Sequence, residues 1–136
     1  VTLGPAVSPE EFSAPGNVEL VRSAPHNAVM REAGLVVTHG GHGTVARALL
    51  HKLPMLVLPH GRDQDGNAAR VVAHGAGLAL SPTASPLEIA GALERLLCDA
   101  SFAEGARRLG AAVERETRES PIVEELEALC RCREFA

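Results

Sequence analysis

Seven consecutive residues, Thr38-His39-Gly40-Gly41-His42-Gly43-Thr44, combine three glycines with two imidazoles and two hydroxyls. They stand between an apolar β-branched run and a stretch with helical spacing. Glycine removes side chains where the backbone must turn sharply or come close to a ligand. The helix that starts here would present N–H groups with no intrahelical acceptor, together with the positive end of its dipole. That combination suits a phosphate. Thr44 adds a hydroxyl donor, and His39 a ring N–H or a positive charge. His42, inside the glycines, stands where it could touch the same anion. The same residues also make an ordinary helix-start loop kept tight by glycine. The pattern is neither a Gly-Lys-Thr phosphate loop nor a G-x-G-x-x-G fingerprint.

One strand further on, Pro59-His60-Gly61-Arg62-Asp63-Gln64-Asp65-Gly66-Asn67 occupies the equivalent position between a strand and a helix. Asp63 and Gln64 together offer several acceptors and two donors, a set suited to neighbouring hydroxyls of a sugar. Asp63 reads equally well as the N-cap of the following helix. His60 is a further candidate for the same site. His26, His51 and His74 read as loop or helix-end residues, and Glu88 and Glu104 as caps.

The elements that must position these loops follow from the apolar pattern. Val18–Val21, Leu35–Thr38, Met55–Leu58 and Gly77–Leu80 read as strands, and their near-continuous apolar character predicts burial on both faces of a parallel sheet. Val1–Leu3 reads as the tail of another. Helices are expected over Asn27–Glu32, Gly43–His51 and Gln64–His74, the last ended by Gly75. Ser85-Pro86-Leu87-Glu88 is a capping box, opening a helix with Leu87, Ala90, Leu93 and Leu97 at helical spacing. Ser101-Phe102-Ala103-Glu104 reads as a second box, ahead of a helix with Leu109 and Val113 inward. Ser120-Pro121 opens a last helix with Ile122, Leu126 and Leu129 on one face. Alternating strands and helices predict an α/β, Rossmann-like parallel sheet with helices on both faces and a helical tail. In such sheets ligands bind beyond the C-terminal strand ends, so both loops should face one crevice.

Composition narrows the classes. The chain has 136 residues, the size of one domain over 1–136, with 46% hydrophobic and 22% charged residues, which is a globular rather than a disordered composition. Three Phe, no Trp, no Tyr and a net charge of −4 argue against nucleic-acid binding. No apolar run approaches a membrane span, and the first residues show no basic region followed by an apolar stretch, so a cytoplasmic protein is expected. Cys98, Cys130 and Cys132 are too few and too unevenly spaced for a disulfide framework or a metal site, so no metal is expected.

The order and spacing of Asn17-Val18-Glu19-Leu20, Ala24-Pro25-His26, Val37 to Thr44, His51-Lys52-Leu53-Pro54-Met55, Pro59, Asp63-Gln64 and Asn67-Ala68 resemble the donor-binding half of the family-1 glycosyltransferases. These include the UDP-glucuronosyl and UDP-glucosyl transferases and the macrolide and antibiotic glycosyltransferases. The resemblance runs from about Asn17 to the last helix. It implies the C-terminal half of a GT-B fold, binding a nucleoside-diphosphate sugar, a UDP- or TDP-hexose, as substrate and using no cofactor. His39, Gly41, His42, Gly43 and Thr44 would hold the donor diphosphate. Asp63 and Gln64 would hold the transferred sugar, and Ser23 and Ala24 would lie at the base, held largely by backbone at Ala24.

The general base would come from an N-terminal acceptor half, absent here and carried by the same or another chain. No catalytic residue is therefore expected in these residues, and the chain alone should not transfer sugar. A homo-oligomer is compatible with the resemblance. Many relatives carry Trp at the position of Ser23 and Glu at the position of Arg47. Serine cannot stack on a base and arginine cannot accept from ribose, so uracil versus thymine stays open and Arg47 reads as solvated. The expected function is transfer of a hexose to a small lipophilic acceptor. The alternatives are a non-catalytic nucleotide-sugar-binding module or subunit, and a GT-B epimerase or hydrolase acting on a UDP-sugar.

Overall fold

The structure is a computed structural model that describes residues 1–132. The chain divides into two compact units, Val1–Gly34 and Leu35 onward.

In the first unit, α1 spans His26–Glu32, one residue earlier than the spacing predicts, and a short 3-10 turn covers Pro9–Glu11. The expected strand Val18–Val21 reduces to a single parallel bridge between Thr2 and Val21. The Val18 N–H is taken by Pro15 O at 2.9 Å, closing the Pro15-Gly16 turn. Hydrogen bonds from Leu3 N to Val21 O and from Val21 N to Val1 O, both 2.9 Å, hold the bridge. The residues before it are spent on a turn and cannot extend a ladder.

The second unit is a three-stranded parallel sheet in the order β1 (Val36–Thr38), β2 (Met55–Val57), β3 (Gly77–Ala79). Val36 pairs with Met55, and Met55 with Gly77. Helices α2 (His42–Leu50), α3 (Gln64–Ala73) and α4 (Pro86–Cys98) follow the three strands in turn, then α5 (Ala100–Glu119) and α6 (Ile122–Cys132).

All of β2 is buried, and its alternation sorts the core into two layers. Met55 and Val57 pack with Val45, Ala48 and Leu49 of α2, Ala68 and Val71 of α3, and Ala106 of α5. Leu56 points the other way, against Ala92 and Leu96 of α4. Helices on both faces are thus borne out. Leu109 and Val113 of α5 pack against the first layer, as their spacing predicts.

Three local expectations change. The inward stripe of α4 is Ile89, Ala92, Leu93 and Leu96, while Leu87 is 83% and Leu97 67% exposed. Both stripes are apolar at helical spacing, and the sheet selects between them. The Ser101 capping box does not form. Asp99 is the N-cap, its Oδ1 accepting from Ser101 N at 2.9 Å, so the helix begins before the serine. Ser120 ends α5 instead of opening α6, and Ile122, Leu126 and Leu129 of α6 are exposed.

Two glycines of α5, unforeseen from the sequence, let it seat. A Cβ at Gly105 would lie 2.1 Å from Gly75 O, and one at Gly110 2.2 Å from Leu49 O. The helix therefore rests directly on the backbone that ends α3 and α2. No helix among the described residues is long and apolar enough to cross a membrane.

Candidate functional site

Because β1 and β2 are adjacent and parallel, the loops that leave them emerge at the same end of the sheet. The first loop is shaped by Thr38 and Gly40. Buried Thr38 accepts a hydrogen bond at its Oγ1 from Gly40 N, 3.2 Å away. Gly40 has φ +90°, and a Cβ there would lie 2.7 Å from Val57 Cγ1 and 3.3 Å from Gln64 O. Only glycine meets both demands, a left-handed backbone and near contact with the second loop.

Gly41 is the N-cap of α2 and has no side chain to offer it. Its carbonyl accepts from Thr44 N at 3.0 Å and Val45 N at 3.1 Å. The N–H groups of His42 and Gly43 lie ahead of these, in the turn where a helix has no carbonyl to give. The His39 ring lies across this turn, its Nε2 at 2.6 Å from where a Gly41 Cβ would stand. His39, His42 and Gly43 are exposed, and Gly41 and Thr44 half-buried. Nothing lies within 4 Å of a Cβ built on Gly43, so the approach to the backbone is clear.

The second loop turns through two left-handed residues, Gly61 at φ +118° and Arg62 at φ +62°. Such a conformation is disfavoured for arginine and persists only where the surroundings impose it. Gln64 imposes part of it, its Oε1 accepting from His60 N at 2.8 Å. That leaves the amide NH₂ of Gln64 as its remaining donor. Asp63 is the N-cap of α3 by position, but it has αR backbone and its side chain makes no capping bond. Its Oδ2 instead accepts from Asn67 Nδ2 at 3.0 Å, and its Oδ1 is left for another donor. The cap reading of Asp63 therefore fails in its side-chain part, because the carboxylate turns toward α3's own second turn.

The chemistry of Asn67 alone does not mark it as a site residue. It is buried, and its Nδ2 also donates to Gly40 O at 3.0 Å. One carboxamide thus touches both loops. The available signal was a polar residue on the inward face of a helix, next to Ala68 and one turn before Val71.

His39, Gly41, His42, Gly43 and Thr44 thus share one end of the sheet with Asp63 and Gln64. Ser23, exposed, and Ala24, half-buried, belong to the first unit, in the segment leading into α1. Arg47 is exposed on α2. His74 follows α3 at its far end as the C-cap. Among the described residues no group of three or more His, Cys, Asp or Glu is placed to hold a metal ion. Cys98 and Cys130 are free thiols, and the side chain of Cys132 lies outside the described residues.

Comparison with known proteins agrees with this geometry. The family described as erythromycin biosynthesis protein CIII-like, C-terminal domain, matches residues 1–129. Aklavinone 7-beta-L-rhodosaminyltransferase of Streptomyces galilaeus is 37% identical over 124 residues, 88% of this chain and 28% of that protein. TDP-daunosamine transferase DnrS of Streptomyces peucetius is 36% identical over 118 residues, 85% of this chain and 27% of that protein. Glycosyltransferase VinC, solved in complex with dTDP, superposes with a TM-score of 0.77 at 28% identity, over 95% of this chain and 33% of that one. The chain spans less than a third of the length of these curated relatives. It belongs to the erythromycin biosynthesis protein CIII-like C-terminal domain family of the antibiotic glycosyltransferases, with the Rossmann-like fold of a GT-B C-terminal half.

Proposed function

We propose that this domain holds the donor, a TDP- or UDP-hexose, for transfer of the sugar to a small lipophilic natural product. The observation that carries the reading is the N-terminus of α2, which has no side-chain cap and sits within contact of the loop bearing Asp63 and Gln64. DnrS is named for a TDP-sugar and VinC is bound to dTDP, which favours thymidine among the donors.

In this reading the N–H groups of His42 and Gly43, the Thr44 hydroxyl and the His39 ring hold the diphosphate. Charge grows on that group as the glycosidic bond breaks. Fixed donors and a helix dipole stabilise it with little reorganisation. Asp63 Oδ1 and the Gln64 NH₂ take the sugar hydroxyls. Asp63 Oδ2 is held by Asn67 of α3 and Gln64 Oε1 by the N–H of His60, so the groups left to meet the sugar sit on side chains already fixed in place. Ser23 and Ala24 hold the base, chiefly through backbone. The general base and the acceptor site lie in residues beyond these 136, in the same or another polypeptide.

Calorimetric titration with TDP, UDP, GDP and the matching monophosphates tests this. Diphosphates should bind and raise the melting temperature by mass action, and monophosphates should bind at least tenfold more weakly. The loss of one charge-assisted contact corresponds to roughly that factor. A melting temperature unmoved by millimolar TDP, UDP and GDP would overturn the reading.

A further inference from the structure

Asn67 is buried behind the exposed groups that would meet a ligand, and among the described residues it is the one side chain bonded to both loops. Its Nδ2 donates to Gly40 O and to Asp63 Oδ2, each at 3.0 Å. It is 9% exposed, and it stands on α3, whose neighbouring Ala68 and Val71 are locked into the core. A buried amide that spends both N–H bonds on loop atoms transmits the rigidity of the helix to them.

We propose that Asn67 is a positioning residue that sets the diphosphate loop and the sugar loop as a single unit. Held through Gly40 O, the glycine turn keeps the α2 N–H groups convergent. Held through Oδ2, Asp63 is denied the N-cap bond and keeps Oδ1 turned outward. The direct approach of Gly40 to Gln64 O closes the same junction from the other side. Recognition of the diphosphate and of the sugar should therefore fail together when this amide is removed, although the two groups are met by different residues. The inference rests on the donor reading for its ligands, but the joint itself can be measured without them.

The test uses the full chain with Asn67→Leu, which keeps the branched skeleton and removes every polar atom, Asn67→Asp, which keeps the shape and removes both donors, and Asn67→Ser, which retains one. Val71→Ala serves as a core control that touches neither loop. TDP and TDP-glucose are titrated by calorimetry, and amide hydrogen exchange is followed without ligand. Asn67→Leu and Asn67→Asp should each weaken TDP by roughly tenfold, the cost of misplacing one or two hydrogen bonds. They should also bring the TDP and TDP-glucose affinities together, with Asn67→Ser between them and wild type.

Exchange at Gly40, Thr44, His60 and Gln64, whose N–H groups are bonded within the two loops, should speed up in the Asn67 variants beyond what Val71→Ala shows at equal global stability. A purely structural role would make Asn67→Leu resemble Val71→Ala, with melting temperature lowered and both affinities within twofold of wild type; that result overturns the proposal. Should wild type bind neither ligand, the donor reading falls, and the exchange comparison still decides for or against the joint. Should Asn67→Leu fail to fold, Asn67→Ser and Asn67→Asp carry the same comparison.

Discussion

Two pairs of helices in the second unit begin in opposite ways. Helices α4 and α5 satisfy their own N-termini. Ser85 Oγ accepts from Glu88 N at 3.3 Å, while Glu88 Oε2 accepts from Ser85 N at 2.7 Å, and Asp99 caps α5. Helices α2 and α3 begin with no side-chain cap, α2 at a glycine and α3 at an aspartate turned elsewhere. A capped helix start has used its donors and gains a few tenths to about 2 kcal/mol in stability. An uncapped one leaves them open to a partner outside the chain. The uncapped pair follows β1 and β2 at one end of the sheet, where the two loops meet, and the capped pair follows the last strand. In the proposed reading, stability and ligand binding thus fall to different helix starts of the same fold.

The largest expected effect comes from removing the space between the loops. Gly40→Ala forces a Cβ into Val57 and Gln64 O at a left-handed φ. It should lower the melting temperature by several degrees and abolish measurable TDP binding, read by calorimetry and differential scanning. Retained affinity would mean that the two loops need not touch.

Next, His39→Ala should weaken TDP by tenfold or more, as expected for a charge-assisted bond of roughly 1.5–3 kcal/mol. His74→Ala, at the other end of α3, should leave the affinity unchanged. Equal affinities for both variants in one titration series would remove His39 from the site.

Gly43→Ala separates the two roles of a helix start. Open space surrounds its Cβ, and alanine in a helix is favoured over glycine by about 0.5–1 kcal/mol. The variant should melt slightly higher yet bind TDP more weakly, because a methyl group stands where the phosphate approaches. Tighter binding would place the anion elsewhere.

The smallest effect belongs to the capped pair. Ser85→Ala should lower the melting temperature by about 2–5 °C and leave TDP affinity alone. Hydrogen bonds from Ser85, side chain before backbone, hold the Glu88 carboxyl below its ordinary 4.5, and those from Ser101 hold Asp99 below its ordinary 3.8. Carboxyls lowered in the folded state stabilise it above their unfolded values, and the benefit is lost as pH falls through the folded ones. The Ser85→Ala difference should accordingly shrink below about pH 4 in a series of thermal melts. A difference constant down to pH 2 would show that Glu88 is no part of the cap.

The sequence by itself determined the layered α/β order, the strand-to-helix placement of both loops and the family, because short apolar runs, glycine turns and the spacing of Thr38 to Thr44 and Asp63-Gln64 are local signals. It also gave the Ser85 capping box, whose partners lie three residues apart. Tertiary structure decided what local signals leave degenerate. It chose Ile89, Ala92, Leu93 and Leu96 over the equally apolar Leu87 stripe, since only the sheet defines which side of α4 is inward. It took Asp63 away from the helix cap and gave it to Asn67. It also revealed Asn67 as the joint, because Gly40 and Asn67 are 27 residues apart and meet only once parallel pairing brings β1 and β2 to a common end.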